Sequence, residues 1–550
     1  MSKYLVIAVA LICIAIGVGI GYAISRPSVT TVTKTFTSVT TVTTTSPTTA
    51  TVVQTETQIT TYTTTRVRTP TPRLLFRDVI ARQSELPPST FISVYSWWHH
   101  APQTPIVFAP NSQYFAIGLA KFVEGKAVGV VRVYSVDGKV LLNVELGSLS
   151  YPYSLAWSES SRYLVVGEQC VEAKILVYDV NEKKLVWSYD VSQDIGKGDP
   201  KASRWKWPTV YYVEVRNGVV YAVACRSIPK PYTKICKVYA FDLKSGKLLW
   251  KAPSEGYIDT CVPYFKVSPD GKYLAGVTWY YVGEKWRGGT LFLIDTSSGK
   301  IVKTFYPGLR PPFRRAGSWK GLTWLDDEHI AYVLDDGRLY ILSVPDLEVV
   351  YSTNVTTPMP ALVIPRKSTN TTQGYVYAYA GYAYAVRFSS YTILIVRTSN
   401  TYGLTAAGKS ATPTINHPDA LSLFIYLWKN GKLTFLAKYP LRGRPCYYQN
   451  FLTSSNNGLL AVPVGHDWIA RTYVYHGVYI YNLSDVNAVK EGKAEVYVVK
   501  PPLSEGVVIS GAISPNGKYV VVVTYPINVG TYKQPKYVGD YIVELYELPR

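Results

Sequence analysis

The sequence predicts an all-β protein, a β-propeller of four-stranded blades, and three observations predict it. From residue 74 to residue 550, short runs of Val, Ile, Tyr and Leu alternate with Gly, Asp, Asn and Pro turns, the pattern of strands joined by tight reversals. No long stretch carries the 3.6-residue helical period. The strand runs also recur as one unit, mostly roughly 45 to 60 residues apart, which is the spacing of propeller blades.

Residues 1–27 read as a membrane anchor. Leu5 to Ile24 is an uninterrupted run of apolar and small residues, preceded by Lys3 and ended by Ser25-Arg26-Pro27. About 20 such residues match the length of a bilayer-spanning helix, whereas a secretory apolar region is usually about 7 to 15. A cleaved signal peptide with Ala23-Ile24-Ser25 as its site is the alternative. Either reading puts the remainder outside the cytoplasm, as a single-pass membrane protein or a secreted one.

Residues 28–73 read as a disordered, threonine-rich stalk. Thr40-Thr41-Val42-Thr43-Thr44-Thr45 is typical, with Pro47, Pro70 and Pro72 as punctuation. Such a stretch lacks the large apolar groups that offset the entropy of ordering, and Thr/Pro tracts of this kind serve as solvated, O-glycosylated spacers. Fully extended it reaches on the order of 150 Å. One or two edge strands are the alternative, because Thr and Val favour β structure.

Residues 74–550 read as the propeller domain. The clearest unit runs from Tyr264 to Val267, through the turn Ser268-Pro269-Asp270-Gly271-Lys272, to Tyr273–Val277, then Thr290–Asp295, Ser298-Gly299-Lys300 and Ile301–Phe305. In such turns Pro presets φ, Asp closes its own backbone turn and Gly takes the positive φ. Further units start near Ala109, Ser154, Val210, Gly321, Tyr375, Tyr448 and Ile513. Eight starts favour eight blades, with seven the alternative because the units near Tyr375 and Tyr448 are irregular. The last unit ends three strands in, at Tyr541–Tyr546, so a strand near Phe91–Tyr95 is expected to supply its fourth.

Two segments carry a family resemblance. Ala240 to Trp250, with Asp242, Gly246 and Trp250, resembles the tryptophan-docking repeat of quinoprotein-type (PQQ-like) propellers, and Tyr178 to Trp187 is a partial second copy. The Ser-Pro-Asp-Gly-Lys turns equally resemble WD40 propellers. The anchor-plus-stalk layout resembles archaeal surface and solute-binding proteins. The resemblance implies fold rather than activity, since propellers host many functions. Quinoprotein enzymes carry an adjacent cysteine pair beside the cofactor, and this chain has no Cys-Cys. The likeness is therefore closer to non-catalytic scaffold members, and no cofactor is expected.

Loop lengths divide the two ends of the blades. The connections within the first and second hairpin of a unit are short. Those expected to be long are 190–208, 226–235, 280–289, 306–320, 387–420, 465–477 and 525–539, and they share one end. They hold Arg204-Trp205-Lys206-Trp207, Lys285-Trp286-Arg287, Arg310 with Arg314-Arg315, Trp319-Lys320, Arg442-Gly443-Arg444 and His466-Asp467-Trp468. Cations interleaved with aromatics suit anionic polymers, sugar rings or acidic protein surfaces. Trp205, Trp207, Trp286, Arg287, Arg314, Arg315, Trp319 and Trp468 are the candidate ligand-binding residues. Solvated arginines and seam-covering tryptophans are the structural alternative. The chain carries 57 Lys and Arg against 37 acids, a net charge of +20, which favours an anionic partner. Outside the cytoplasm that partner is an acidic glycan or an envelope protein rather than a nucleic acid.

Cys225 and Cys236 flank one hairpin and are the first disulfide candidates, with Cys170 and Cys261 second and Cys446 left over. Asn354, Asn370 and Asn482 stand in N-glycosylation sequons, in keeping with a cell-surface glycoprotein. No Cys-x-x-Cys, Gly-x-Ser-x-Gly or phosphate-cradling glycine loop occurs. His99 and His100 follow Trp97-Trp98, but neighbours on a strand point to opposite faces, so no metal site and no catalytic residue are assigned. The expected function is a membrane-anchored binding or scaffold module. The alternatives are an extracytoplasmic enzyme, quinoprotein-like or polysaccharide-acting, and a purely structural envelope component.

Overall fold

The computed structural model describes residues 34–549 except 45–51, 63–70, 83–105, 124–125, 230–232, 281–282, 315–316, 444–451, 466–474, 531–533 and 535, and it omits the side chains of 34–44, 52–62, 120–127, 148, 204 and 528. The chain divides into two compact units, Met1–Pro70 and Thr71–Arg550. In the first, Lys34–Thr44 and Val52–Tyr62 pair as an antiparallel hairpin, with Lys34 opposite Tyr62 and Thr44 opposite Val52. The expected disordered stalk is here replaced by its strand alternative, since β-branched Thr and Val fit extended backbone. The expected anchor, residues 5–24, lies outside the described residues. Among those described, no helix is long and apolar enough to cross a membrane.

The regular structure of the second unit is almost entirely β-strand, and it forms a β-propeller. Most sheets are built of four successive strands paired as antiparallel neighbours, with short turns at one end and longer connections at the other. Six four-stranded sheets are built from 106–148, 261–305, 322–354, 383–440, 453–499 and from 507–547 together with 73–81. The strands of 151–190 and 209–252 form two more four-strand groups, joined into one sheet by a single bridge between Thr209 and Gln169. Four further strands, Met359–Pro365, Thr372–Ala378, Thr401–Thr405 and Ser410–Pro413, close into a small barrel.

Closure comes from the N-terminal side of the domain. Arg73–Ala81 pairs antiparallel with Tyr541–Glu547 and becomes the outermost strand of the C-terminal sheet. The strand expected to do this, 91–95, lies outside the described residues, and the role belongs to Arg73–Ala81. Both are short apolar β runs, and pairing between chain ends is invisible to local pattern. The start expected near Tyr375 is likewise corrected. Thr372–Ala378 belongs to the small barrel, and the innermost strand of that sheet is Ala383–Arg387.

Every seam between neighbouring sheets holds a core. Phe115, Ile117 and Tyr134 pack with Val521, Val543 and Leu545 across the closing seam, and one larger cluster runs from Tyr212 through Phe265 and Phe292 to Trp324. Tryptophans on the outer strands give these seams geometry. The Trp187 indole N–H donates to the Leu243 carbonyl at 2.8 Å, and its ring lies so close to Gly246 that a Cβ there would come within 2.6 Å. Trp250 repeats the arrangement one sheet on, donating to Thr296 O at 2.6 Å above Gly299. Both glycines also sit at positive φ, 70° and 71°. The spacing from Asp242 to Trp250 thus has a mechanical meaning: the turn Gly of one unit receives the Trp of the unit before it.

The inner turns repeat as closely. Ser268 Oγ donates to Asp270 Oδ1 at 2.6 Å and accepts the Tyr273 amide at 3.0 Å. Ser514, Asn516 and Tyr519 make the same pair of bonds at 2.7 and 2.9 Å.

The Gly246 contact generates a test. Replacing Gly246 with Ala combines left-handed backbone strain with a clash against the Trp187 ring, and is expected to cost about 2–4 kcal/mol. The exposed neighbour substitution Lys244→Ala is expected to change stability by less than about 0.5 kcal/mol. Chemical denaturation of the two variants checks this.

Candidate functional site: a basic rim and an axial tyrosine–lysine cluster

Up-and-down strands put alternate connections at opposite ends of each sheet. At one end the turns between first and second strands span five residues or fewer, and the largest insertion there is 483–494, with the short helix Val486–Lys490. The other end carries 191–208, 280–290, 306–321, 355–382, 398–421, 465–476 and 526–540. The small barrel is assembled from two of these, 355–382 and 398–421. Two expected loops are corrected. Residues 226–235 are mostly the ends of Val219–Ile228 and Thr233–Asp242, because Ile228, Thr233 and Ile235 continue the two strands. In 387–420, Ala383–Arg387 and Thr392–Arg397 form a tight hairpin, so the long connection begins at 398.

The candidate rim residues fall into three groups. Arg287 and Arg314 are exposed, and the Arg287 guanidinium lies 6.0 Å from the Tyr306 ring centre. Trp205 and Trp286 are half-buried. Lys206 Nζ stands 5.5 Å from the Trp205 ring centre, and Trp286 meets Phe292 edge-on at 5.7 Å. The Trp286 loop is shaped by one carboxylate: Asp259 accepts the backbone amides of Glu284, Lys285 and Trp286 at 2.7, 2.9 and 2.9 Å. Trp207 and Trp319 are corrections. They are 4% and 3% exposed. Trp207 donates to Asp199 O at 2.7 Å, and Trp319 meets Trp279 edge-on at 4.5 Å. Both fill the base of the rim, and neither offers a face to a ligand. Arg315 and Trp468 lie outside the described residues, as do Arg444, His466 and Asp467.

Below this rim the innermost strands bring together residues that the sequence reading missed, and with them Lys320, which it had placed on the rim and which is instead buried. Thr209–Arg216 contributes Tyr212 and Glu214, Cys261–Val267 contributes Tyr264 and Lys266, and Tyr382 and Tyr384 stand at the start of Ala383–Arg387. Lys320 lies two residues ahead of Leu322–Trp324, and Arg397 ends Thr392–Arg397. Residues two apart on a strand share a face, so each pair points the same way. The Tyr-x-Glu, Tyr-x-Lys and Tyr-x-Tyr pairs at equivalent strand positions are the signal that marks this cluster.

Lys320 is 7% exposed, and its ammonium lies 4.7, 5.7 and 5.8 Å from the ring centres of Tyr264, Tyr212 and Tyr382. Lys266 stands 5.5 Å from the Tyr212 ring centre and 3.4 Å from Glu214 Oε2. The Arg397 guanidinium lies 4.4 Å from the centre of Tyr382. The rings are tied down: Tyr382 Oη accepts the Leu452 amide at 2.8 Å, and Tyr384 Oη pairs with Ser454 Oγ at 3.0 Å. Burial, then Lys266 and Arg397, push Lys320 well below the usual lysine range. For Lys266 burial acts the same way, but Glu214 and Tyr264 outweigh it and hold the ammonium above its usual range.

Other candidate chemistry resolves into structure. Cys225 and Cys236 face each other across their hairpin and form a disulfide with Cα atoms 4.1 Å apart. The second expected pair does not form: Cys170 and Cys261 are free thiols packed in different cores. Burial pushes both to about 12, so neither is a ready nucleophile. Asp335 and Asp336 are adjacent buried acids. Asp336 pairs with Arg338 at 2.7 Å, while Asp335 accepts the Gly317 amide at 3.1 Å and is driven well above the carboxylate range by burial and by Asp336. Asn354 and Asn370 are exposed. Asn482 is half-buried, and its Oδ1 accepts from both the amide and the hydroxyl of Ser484. Among the described residues no group of three or more His, Cys, Asp or Glu is placed to hold a metal.

No family model matches the chain, and no curated protein matches it. Among solved structures, a quinohemoprotein alcohol dehydrogenase from Comamonas testosteroni is similar at 11% identity, covering 81% of this chain and 74% of that one, with a TM-score of 0.49. A europium-containing methanol dehydrogenase is similar at 9% identity, over 79% of this chain and 89% of that one, with a TM-score of 0.47. The WD40 β-propeller domain of Doa1 is similar at 12% identity, over 87% and 97%, with a TM-score of 0.37. These are likenesses of chain path alone, and the propeller assignment rests on the sheet order and closure described above.

One buried acid at the rim end of its sheet gives a pH test. Glu168 is 4% exposed, accepting from Ser150 Oγ at 2.8 Å and from the Lys174 amide at 3.1 Å, and burial pushes it up to about 7. A folded pKa raised above the unfolded one favours the protonated fold. This contribution is complete below pH of about 4.5 and is lost as pH rises through about 7. Glu168→Gln is therefore expected to be more stable than wild type by about 3 kcal/mol at pH 8, with the difference closing by pH 5. Denaturation at both pH values measures it.

Proposed function

We propose that the chain is an extracytoplasmic binding module: an eight-bladed propeller, held at the cell surface by its N-terminal apolar segment, that receives an anionic envelope partner on its long-connection end. The eight-blade reading counts the 151–190 and 209–252 groups as separate blades. The observation that carries the binding reading is the one-sided gathering of long connections bearing Lys206, Lys285, Arg287, Arg310 and Arg314, with Trp205 and Trp286 half-buried among them. Arginine and lysine beside aromatic rings suit a polymer with anionic groups and ring-shaped faces. The net charge of +20 acts in the same direction at longer range. An acidic glycan or an acidic surface protein fits this chemistry and this compartment.

The test uses the full chain with heparin and poly-L-glutamate as polyanion probes at two salt concentrations. Binding is expected to weaken with salt, and the double variant R287A/R314A is expected to lose roughly three- to ten-fold in affinity, as two exposed charges do. Binding by that variant equal to wild type rejects the rim assignment.

A further inference from the structure

We propose that a cavity of about 430 Å³ at the short-turn end, between the 453–499 sheet and the C-terminal sheet, binds a small monocarboxylate with an apolar body. The side-chain amides of Asn457, Asn482 and Asn516, together with Lys518, hold its carboxylate. This site lies at the opposite end of the sheets from the rim and does not depend on the rim reading.

Each asparagine holds its own turn with its oxygen and leaves its NH2 group over. Asn516 Oδ1 accepts the Ser514 hydroxyl at 2.7 Å and the Lys518 amide at 3.0 Å. Asn482 Oδ1 accepts the amide and the hydroxyl of Ser484 at 3.0 and 2.7 Å, and Asn457 Oδ1 accepts the Ser455 hydroxyl. A backbone N–H only donates, so in Asn482 and Asn516 the end left over is the donor. Aspartates do the same turn work elsewhere in the ring. Asp270 stands in the place of Asn516, accepting from the Ser268 hydroxyl and the Lys272 amide. Asp242 and Asp295 end third strands as Asn482 does, accepting from Ser245 and Ser298. The turns therefore do not require an amide, and here three amides supply donors where three carboxylates would repel an anion. Among the described residues no acid lines the cavity. Lys518 pairs with Glu547 at 3.2 Å, but Glu547 also pairs with Arg73, so two cations stand against one carboxylate at this edge. A carboxylate, which only accepts, matches such a lining through charge-assisted hydrogen bonds.

The rest of the lining suits an apolar body. Val496 and Tyr497 are half-buried and Leu548 is buried, whereas Asn457 and Asn516 are exposed, so the polar end of the cavity meets solvent. Its volume falls within the range of about 300–1,000 Å³ usual for small-molecule sites. Its walls are fixed by backbone bonds. The Asn456 amide donates to Pro515 O at 2.7 Å, Leu483 to Gly458 O at 2.9 Å and Leu548 to Lys518 O at 2.8 Å. The Asn457 side chain lies across Gly517, where a Cβ would come within 2.6 Å of its Oδ1. Walls already held in place lose little entropy when a ligand enters.

The full chain is titrated with phenylacetate, and with uncharged phenylacetamide as control, by ligand-observed NMR. Saturable phenylacetate binding is expected, with a dissociation constant on the order of 1 mM for a ligand of this size, and phenylacetamide is expected to bind at least tenfold more weakly. Asn516→Asp keeps the turn, as Asp270 does in its own, but replaces the donor with a negative charge, and is expected to weaken phenylacetate at least tenfold. Asn457→Asp is expected to do the same and decides the matter should Asn516→Asp fail to fold. Asn430→Asp makes the same change of charge in an exposed Asn-Gly turn of another sheet, where Asp-Gly serves equally, and is expected to leave affinity within about twofold. Three results overturn the proposal: no saturable binding, phenylacetamide as tight as phenylacetate, or equal affinity in wild type and the two cavity variants. Binding lost in R287A/R314A and kept in Asn516→Asp places the anion on the rim, and the cavity site falls. A glycan found on Asn482 by peptide mass spectrometry of the native protein also overturns it, because the amide is then spent.

Discussion

The propeller depends on the pairing of Arg73–Ala81 with Tyr541–Glu547. Without it the C-terminal sheet would present a bare edge, and the seam to the 106–148 sheet would lose its outer wall. Asp78 shows how the closure is secured. It accepts from Arg132 Nη1 at 2.8 Å and from Tyr134 Oη at 2.6 Å, so the closing strand is bolted to the sheet that follows it. Phe76 stacks on Tyr134 at 5.7 Å behind these bonds. A ring of sheets has no free face except its ends, so each seam buries apolar surface on both sides, and function is displaced to the rims and the axis.

That geometry explains the axial cluster. Innermost strands from several sheets converge, and side chains two apart on each share a face. Tyrosines supply rigid rings with polar tips, and the cations lie over the rings rather than in water. The same convergence forces like charges together, which no single strand would do alone. The rim works differently. Its loops are held by local devices, such as the Asp259 carboxylate gathering three backbone amides, and its exposed arginines keep their hydration.

Much of the fold was legible because it is local. A Ser-Pro-Asp-Gly turn closes on itself through Ser268 and Asp270, and the Gly-to-Trp spacing of the docking repeat needs only the next unit to complete it. The site was legible in part. Arg287 and Arg314 sit on the rim, but Trp207 and Trp319 turned inward, because a large ring near the base of a long loop gains more by packing than by facing water. Of the axial residues, Tyr212, Lys266 and Arg397 went unread and Lys320 was read as a rim residue, since the four lie on or beside four different sheets.

Composition, period and turn chemistry determined by themselves that this chain is a repeat of four-stranded β units with a basic, aromatic set of long connections at one end. These properties follow from neighbours a few residues apart. Only the tertiary structure decided which strand closes the ring, that two loops join into a small barrel, that Cys170 and Cys261 stay apart, and that three cations share one tyrosine cage. Each of those outcomes turns on which distant segments meet, a question of packing between sheets that no local pattern encodes.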